Sequence, residues 1–172
     1  MAWRRTCERP ILVAVRGSGV DIGVISDTHG LLRPEAIAAL AGVAHVVHAG
    51  DVGGADVLDG LSRVAPVTAV RGNNDFGAWA DRLPETARVT IAHARILVVH
   101  DAHALAGEPP EGVDVVIAGH SHRPLVERRD GVLHVNPGSA GPRRFRLPIA
   151  LVRLSVGPRG IAGRIVDLMP AA

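Results

Sequence analysis

The chain has 172 residues, of which 47% are hydrophobic and 21% are charged, and its formal net charge is +2. This length favours one domain with a substantial core. The small net charge, without a long basic stripe or interleaved aromatic residues, gives no indication of nucleic-acid binding. The single cysteine, Cys7, excludes an internal disulfide bond and fits a reducing compartment.

The apolar runs of the sequence are too short for membrane insertion or secretion. None approaches the ~20 residues that span a bilayer. The run at 11–15 is also shorter than the ~7–15 residues of a signal-peptide core. We therefore expect a cytoplasmic protein without a membrane partner.

The first half of the chain predicts alternating strands and helices. Residues 1–19 are predicted to form an N-terminal extension, with an added strand at 11–15 as the alternative, and 20–172 form the single domain. The alternation predicts parallel strands with right-handed crossovers. Strands are predicted over 21–26, 45–49 and 64–70, and helices over 31–40 and 55–61.

The second half of the chain predicts antiparallel hairpins. Asp130-Gly131 is a strong turn signal between two of its strands. The predicted fold class is therefore α/β, a two-sheet α/β sandwich with a parallel β-α-β start followed by antiparallel hairpins. The strands of this half are predicted over 87–92, 95–99, 113–118, 124–128, 132–135, 149–156 and 160–168.

Polar residues follow five of the predicted strands directly. Because ligands in open α/β sheets gather at the carboxyl ends of the strands, these residues predict one metal site. His120 and His122 are two positions apart, and in an extended segment their side chains would point to the same side. The candidate ligands are Asp27, His29, Asp51, Asn73, His100, His120 and His122.

The donor set indicates the kind of metal. Oxygen and nitrogen donors without thiolate suit Mn, Fe, Zn, Co or Ni better than Ca. Seven donors are too many for one tetrahedral zinc ion, but they suffice for two ions that share a bridging carboxylate. Two ions ~3.5–4 Å apart are a known device for phosphoester hydrolysis.

Six motifs occur in a fixed order along the chain. They are Asp27-x-His29, Gly50-Asp51, Gly72-Asn73-Asn74-Asp75, His100, Gly119-His120-Ser121-His122 and Asn136-Pro137-Gly138-Ser139. Together they resemble the calcineurin-like metallophosphoesterase superfamily. Within it, the chain is most similar to the small bacterial and archaeal phosphodiesterases related to the retromer subunit Vps29, over about residues 20–168.

The resemblance implies a dinuclear centre and a hydrolytic mechanism. In this family a metal-bridging hydroxide attacks the phosphorus of a phosphodiester. The two divalent ions are expected to be manganese, with nickel, cobalt, iron or zinc as alternatives. One ion would be held by Asp27, His29 and His122, the other by Asn73, His100 and His120, and Asp51 would bridge them.

Two positions depart from the common family pattern. Asn74 stands where many members have a histidine that protonates the leaving group, a departure shared by small phosphodiesterases of this type. An amide cannot supply that proton, which disfavours phosphomonoesters with poor leaving groups. Asp101 stands where the family usually has a glycine after the histidine of this strand, here His100. Two residues further on, His103 is a candidate proton donor that reaches the substrate, with a solvated loop histidine as the alternative. Asn74 and His103 are therefore the candidate catalytic residues.

Other polar residues are predicted to support the site rather than bind metal. Asp75 is expected to cap its loop, and Asn136 and Ser139 are expected to hold the turn near the site. His48 either supports the site or is a hydrogen-bonded strand histidine.

The sequence thus predicts a metal-dependent phosphodiesterase, a hydrolase that acts on ester bonds. Its expected substrate is a small phosphodiester, and a nucleotide is among the candidates. A non-catalytic metal-binding scaffold or protein-interaction module of the Vps29 type is the alternative, because one fold can serve different functions. A homodimer is left open.

Overall fold

Two mixed β-sheets and two short helices form the part of the chain that the computed structural model describes, residues 11–13, 19–105, 111–144 and 146–169. In chain order the elements are β1 (Ile11–Val13), β2 (Val20–Ile25), α1 (Pro34–Ala39), β3 (His45–His48), α2 (Ala55–Ser62), β4 (Val67–Ala69), β5 (Thr86–Ile91), β6 (Ala94–Val99), β7 (Val115–Ile117), β8 (Leu125–Arg129), β9 (Val132–Asn136), β10 (Ala150–Gly157) and β11 (Gly160–Asp167).

Sheet A has six strands in the order β1-β5-β6-β7-β9-β8, and sheet B has five in the order β11-β10-β2-β3-β4. The parallel pairing of β2, β3 and β4 agrees with the predicted β-α-β start. The predicted hairpins are present as β5–β6, β8–β9 and β10–β11. Sheet A also contains parallel pairs, because β7 lies parallel to both β6 and β9.

The main core lies between the two sheets. It contains inward residues of β2 and β10, such as Val24 and Leu154, together with residues of β6 and β7, such as Val98 and Ile117. A second core packs α1 and α2 against the other face of sheet B, with Leu40 and other residues fully buried. Period-two alternation of inward residues along the strands produces this arrangement. The predicted α/β sandwich is confirmed.

Two elements begin three residues later than predicted. Helix α1 begins at Pro34 rather than 31, because Arg33 precedes a proline and adopts extended geometry. Strand β4 begins at Val67 rather than 64, because the N–H groups of Val64 and Ala65 bond to Leu61 O at the end of α2. Two 3₁₀ helices, Ala80–Arg82 and Ala102–Leu105, have no counterpart in the prediction.

The predicted N-terminal extension, residues 1–19, is described only at 11–13 and at Gly19. The three residues Ile11–Val13 pair in parallel with β5 at the edge of sheet A. They therefore adopt the strand that was the alternative for this segment, and the remaining residues up to 18 lie outside the described ranges. No helix within those ranges is long and apolar enough to cross a membrane.

Candidate metal centre

The carboxyl ends of β2, β3, β6 and β7 meet at one edge of the two sheets. The Asp27 N–H donates to Gly50 O at 3.0 Å, and the Gly119 N–H donates to His100 O at 2.9 Å. His100 also links the sheets, since its Nδ1 lies 2.7 Å from Ala49 O. This edge brings together all the predicted ligands, namely Asp27, His29, Asp51, Asn73, His100, His120 and His122.

Two imidazoles surround the carboxylate of Asp27. His122 Nε2 lies 3.1 Å from Asp27 Oδ1, and His29 Nε2 lies 4.0 Å from the same oxygen. One ligand atom from each residue lies within 4.8 Å of the other two. These are the three residues that the family resemblance assigns to one ion.

Two further imidazoles surround the amide of Asn73. Its Oδ1 lies 2.9 Å from His100 Nε2 and 3.0 Å from His120 Nδ1. Asp51 Oδ1 lies 3.5 Å from His100 Nε2, and Asp51 Oδ2 lies 3.9 Å from His29 Nε2. The carboxylate therefore contacts a histidine of each group. A carboxylate at this position suits the predicted bridging role.

Several buried nitrogen and oxygen atoms of the site have no hydrogen-bond partner. They include Asp27 Oδ1, His29 Nε2 and His122 Nδ1. The 3.1 Å approach of His122 Nε2 to Asp27 Oδ1 lacks hydrogen-bond geometry. A buried polar atom without a partner costs about 1–3 kcal/mol, and a divalent cation would satisfy such atoms. The donor types and the unsatisfied atoms therefore fit the predicted divalent ions.

Most of the predicted ligands have left-handed backbone geometry. Apart from glycine, only Ala92 and Asp130 share this geometry elsewhere in the described residues, and both lie in turns between paired strands. A residue with a side chain is strained here by roughly 1–2 kcal/mol. Strain of this kind clusters at functional sites. The φ values are 54° for Asp27, 47° for His29, 53° for Asp51, 64° for His120 and 58° for His122.

Metal binding requires ionised carboxylates and neutral imidazoles, and the pKa shifts of Asp51 and His29 favour these charge states, whereas that of His100 opposes them. Burial opposes ionisation of Asp51, but hydrogen bonds from His100 and Asn74 outweigh it and hold the pKa of this carboxyl far below its usual range. Burial lowers the pKa of His29 despite the attraction of Asp51 and Asp27. For His100 burial lowers the pKa, but the hydrogen bond to Asp51 outweighs it and the net direction is upward.

Asp75 organises the loop that carries the bridging candidate. It is buried, and its carboxylate accepts three backbone N–H bonds, from Val52 at 3.1 Å, Gly53 at 2.8 Å and Gly72 at 2.8 Å. These bonds fasten the segment after Asp51 to the segment before Asn73. The expected loop-capping role of Asp75 is confirmed.

The other loops are held by side chains that donate to the backbone. Asn136 Nδ2 donates to Gly119 O at 2.7 Å, and Ser139 Oγ donates to Asp27 O at 2.9 Å, so both hold the turns beside the ligands as expected. The sequence reasoning missed Ser26, whose Oγ donates to Asp27 Oδ2 at 2.6 Å. The available signal was a hydroxyl between the apolar end of β2 and the predicted ligand Asp27.

His48 is fully buried in β3 and joins two ligand loops. Its Nδ1 accepts the Gly50 N–H at 3.2 Å, which leaves the proton on Nε2. Nε2 then donates to Thr28 Oγ1 at 2.9 Å, and this hydroxyl donates to Val52 O at 2.8 Å. Burial lowers the pKa of His48 to about 4. Both predicted alternatives hold, because the strand histidine is hydrogen-bonded and supports the site.

The two candidate catalytic residues occupy different positions. Asn74 Nδ2 donates to Asp51 Oδ2 at 2.6 Å, and its backbone N–H donates to Oδ1 at 2.8 Å. His103 lies in the 3₁₀ helix after β6, its side chain is 94% exposed, and Nδ1 lies 2.8 Å from Asp101 Oδ1. Asn74 thus contacts a predicted ligand, whereas His103 lies outside the ligand cluster.

His120 and His122 do not have the extended geometry that the prediction assumed. Strand β7 ends at Ile117, and both histidines have positive φ instead of extended geometry. The exposed His120 turns to Asn73, and the buried His122 turns to Asp27. One short loop therefore serves both ligand groups.

Two grooves share His120 and Asp101 in their linings. The first, the Phe76 groove, has a volume of about 790 Å³ and includes Asn73 and His100 in its lining. The second, the Pro124 groove, has a volume of about 510 Å³ and lies beside Ser121 and Asn136. Both volumes fall in the ~300–1,000 Å³ range of small-molecule sites. Space for substrate groups thus exists on two sides of the exposed imidazole.

The chain is similar in sequence to proteins named as phosphoesterases. A probable metallophosphoesterase from Methanothermobacter thermautotrophicus is 36% identical over 143 residues, covering 76% of this chain and 83% of the relative. The phosphodiesterase YfcE of Escherichia coli K12 is 33% identical over 98 residues, covering 49% of this chain and 50% of that protein.

A solved structure shares the fold. Vacuolar protein sorting 29 from Cryptosporidium parvum aligns with a TM-score of 0.74 at 21% identity, covering 89% of this chain and 93% of that one. The family model of the calcineurin-like phosphoesterase superfamily domain matches residues 20–157, which include every predicted ligand. The chain belongs to the calcineurin-like phosphoesterase superfamily.

Proposed function

We propose that the protein is a phosphodiesterase that depends on two divalent metal ions. The observation that carries this proposal is the buried cluster of carboxylates and imidazoles, with donor atoms that lack hydrogen-bond partners. Bound divalent ions would supply Lewis-acid chemistry, lowering the pKa of water and neutralising charge on the phosphoryl group. Manganese is our first choice for these ions, with nickel, cobalt, iron or zinc as alternatives, since oxygen and nitrogen donors without thiolate suit all of them.

Three residues of the site would have different roles in this reaction. Asp51 would bridge the two ligand groups, because it contacts His29 on one side and His100 on the other. Asn74 positions this carboxylate through two hydrogen bonds. The exposed His120, where both grooves meet, would orient the phosphoryl group of the substrate.

Two features favour diesters over monoesters. A diester has two substituents, and the Phe76 and Pro124 grooves offer space for both. Asn74, held against Asp51, cannot protonate a poor leaving group, and the loss of a general acid typically costs ~10²–10⁴-fold in rate. The name of the relative YfcE, a phosphodiesterase, supports the same preference.

Hydrolysis of a chromogenic diester tests the proposal. Protein stripped of metal and then titrated with Mn²⁺ should hydrolyse bis(p-nitrophenyl) phosphate faster than p-nitrophenyl phosphate. Asp51→Asn should reduce turnover by at least ~10³-fold, because an amide lacks the negative charge with which the Asp51 carboxylate would bridge the two ions. The exposed Asp59→Asn on helix α2 is the matched control and should keep wild-type turnover.

The outcomes separate the candidate functions. Unchanged turnover of Asp51→Asn would contradict the ligand assignment. An absence of turnover with Mn²⁺, Ni²⁺ and Co²⁺ would favour a protein-interaction module of the Vps29 type. A His103→Ala variant with wild-type rates would remove His103 as a proton donor.

A further inference from the structure

The Phe76 groove extends from the metal centre along the outer face of β5 and β6. Its outer-face lining includes Thr86 and Arg88 of β5 and Leu97 and Val99 of β6. The strand residues between them belong to the main core and point the other way. At one end the groove reaches the predicted ligands, so a molecule bound at the metal centre can extend into it.

Phe76 is the most exposed large hydrophobic residue of the described ranges, with 74% of its surface accessible. The backbone on both sides of it is held in place. Asp75 accepts three backbone N–H bonds, and Gly77 O accepts the N–H groups of Ala80 at 2.9 Å and Asp81 at 3.1 Å. The loop therefore presents an aromatic ring to solvent from a fixed position beside the groove.

Aliphatic side chains complete the apolar part of the groove. Leu97 and Val99 are buried at its base, and Leu105 of the 3₁₀ helix is half-buried at its side. These residues and Phe76 offer a surface to an apolar or planar group. A group that removes this surface from water gains about 25 cal/mol per Å².

The charges along the groove disfavour additional phosphate groups. Arg71 forms a salt bridge with Glu85, with 2.7 Å between Nη2 and Oε1, and its Nη1 lies 3.6 Å from Asp81 Oδ1. The groove lining contains more carboxylates than arginines. The carboxylates are those of Asp75, Asp81, Glu85 and Asp101, and the arginines are Arg71 and Arg88. A polyphosphate chain in the groove would meet net negative charge, whereas an uncharged substituent would not.

Arg88 marks the far end of the groove. It pairs with Leu97 in the sheet register, three residues before His100. At ~3.4 Å per residue, this end lies ~10 Å from the ligands along the strand. A guanidinium group stacks on planar rings and donates hydrogen bonds to their edges. The groove therefore has the length for a nucleoside-sized group and a partner for its polar edge.

We propose that the Phe76 groove binds one ester substituent of the substrate, an uncharged aromatic or heteroaromatic group that stacks on Phe76. This proposal rests on the proposed phosphodiesterase function, with the phosphoryl group at the ligand end of the groove. The substrate class is a phosphodiester with an aryl or nucleoside substituent, and substrates with a polyphosphate substituent are disfavoured.

Binding of two simple phosphate esters tests the proposal without turnover. Phenyl phosphate and methyl phosphate are titrated calorimetrically into the Mn²⁺-loaded protein. The wild type should bind phenyl phosphate more tightly. Phe76→Ala should weaken phenyl phosphate binding by about 5- to 20-fold, which is the lower part of the range for stacking of a base on an aromatic side chain. Methyl phosphate binding should stay within about 2-fold of the wild type, because its substituent does not reach the ring.

Two further variants sharpen the result. Phe76→Trp should retain tight binding of phenyl phosphate, since it keeps an aromatic face. Ile165→Ala on β11 is the matched control for removal of an exposed hydrophobic side chain and should bind both esters like the wild type. Equal affinity of Phe76→Ala and wild type for phenyl phosphate would overturn the proposal, as would equal wild-type affinities for the two esters.

The two proposals can fail separately. If the wild type hydrolyses bis(p-nitrophenyl) phosphate but Phe76→Ala binds phenyl phosphate normally, only the groove assignment fails. If phenyl phosphate binding depends on Phe76 but no diester is hydrolysed with any metal, the groove assignment stands as a binding site and the proposed hydrolysis fails.

Discussion

The hydrogen bonds of a single buried histidine determine its proton positions. Nδ1 of His48 accepts the Gly50 N–H, so it has no room for a proton. Nε2 is the donor to Thr28, which in turn donates to Val52 O. Protonation of His48 would place two N–H groups against each other and a charge in the core. The loops that contain Asp27 and Asp51 therefore depend on a neutral imidazole.

This chain of bonds predicts a pH-dependent stability. The pKa of His48 is about 4 in the folded protein and ~6.5 in an unfolded chain. Between these values the unfolded state binds more protons, so the stabilisation is complete above pH ~6.5 and is lost as pH falls towards ~4. The loss amounts to ~3 kcal/mol. Urea unfolding of the metal-free protein at several pH values measures it.

A neutral replacement provides the control for this measurement. His48→Gln cannot titrate, so the difference in unfolding free energy between wild type and variant should shrink from pH 7 to pH 4. A difference that stays constant over this range would show that another group carries the pH dependence.

At the scale of elements, the loops after the strands approach each other closely at several glycines, among them Gly72 and Gly119. A Cβ at Gly72 would collide with the backbone and side chain of Asp51. A Cβ at Gly119 would collide with Ser26 Oγ and would meet Asp27 Oδ2 at 2.8 Å. The strand ends can meet this closely because positions such as these lack a side chain.

Gly72→Ala should therefore disturb both the fold and the site. Overpacking of this kind costs about 1–3 kcal/mol of unfolding free energy, and displacement of Asp51 should weaken Mn²⁺ binding. Denaturant unfolding and Mn²⁺ titration measure the two effects. Gly19→Ala is the matched control, because its Cβ would meet only Val156 O at 3.7 Å. Equal Mn²⁺ affinity of the two variants would contradict the close approach at Gly72.

The sequence predicted the elements that carry the site better than the loops between them. Each predicted ligand follows an apolar run, and strand ends converge in an α/β sheet whatever the loop conformation. Helix α1 was predicted to begin three residues too early because periodicity does not detect the extended residue before Pro34. The directions of His120 and His122 depend on left-handed backbone geometry, which residue type does not specify.

Over the whole molecule, the two sheets contribute different chemistry to one centre. Sheet B supplies the oxygen donors together with His29, from the loops after β2, β3 and β4. Sheet A supplies the remaining imidazoles, His100, His120 and His122, after β6 and β7. Ions bound at this edge would therefore connect the sheets. The sequence placed these donors at one edge but could not assign them to two sheets, because strand order depends on long-range pairing.

Metal binding should accordingly stabilise the entire fold. A ligand at 100 times its dissociation constant contributes ~2.7 kcal/mol, which corresponds to a rise in Tm of roughly 5–10 °C for a chain of this size. Thermal unfolding with Mn²⁺ and with a chelator measures the shift. His103→Ala should keep the full shift, whereas His122→Ala should lose most of it. A shift that survives in His122→Ala would contradict the assignment of this ligand.

The left-handed geometry of the ligands has a consequence for divergence within the superfamily. At Asp27, His29, Asp51, His120 and His122, glycine or asparagine relieves backbone strain, so a lineage released from catalysis gains stability by abandoning these side chains. Selection for hydrolysis opposes that drift. Glycine or asparagine at these five positions should therefore mark descendants that retain the sandwich as a scaffold.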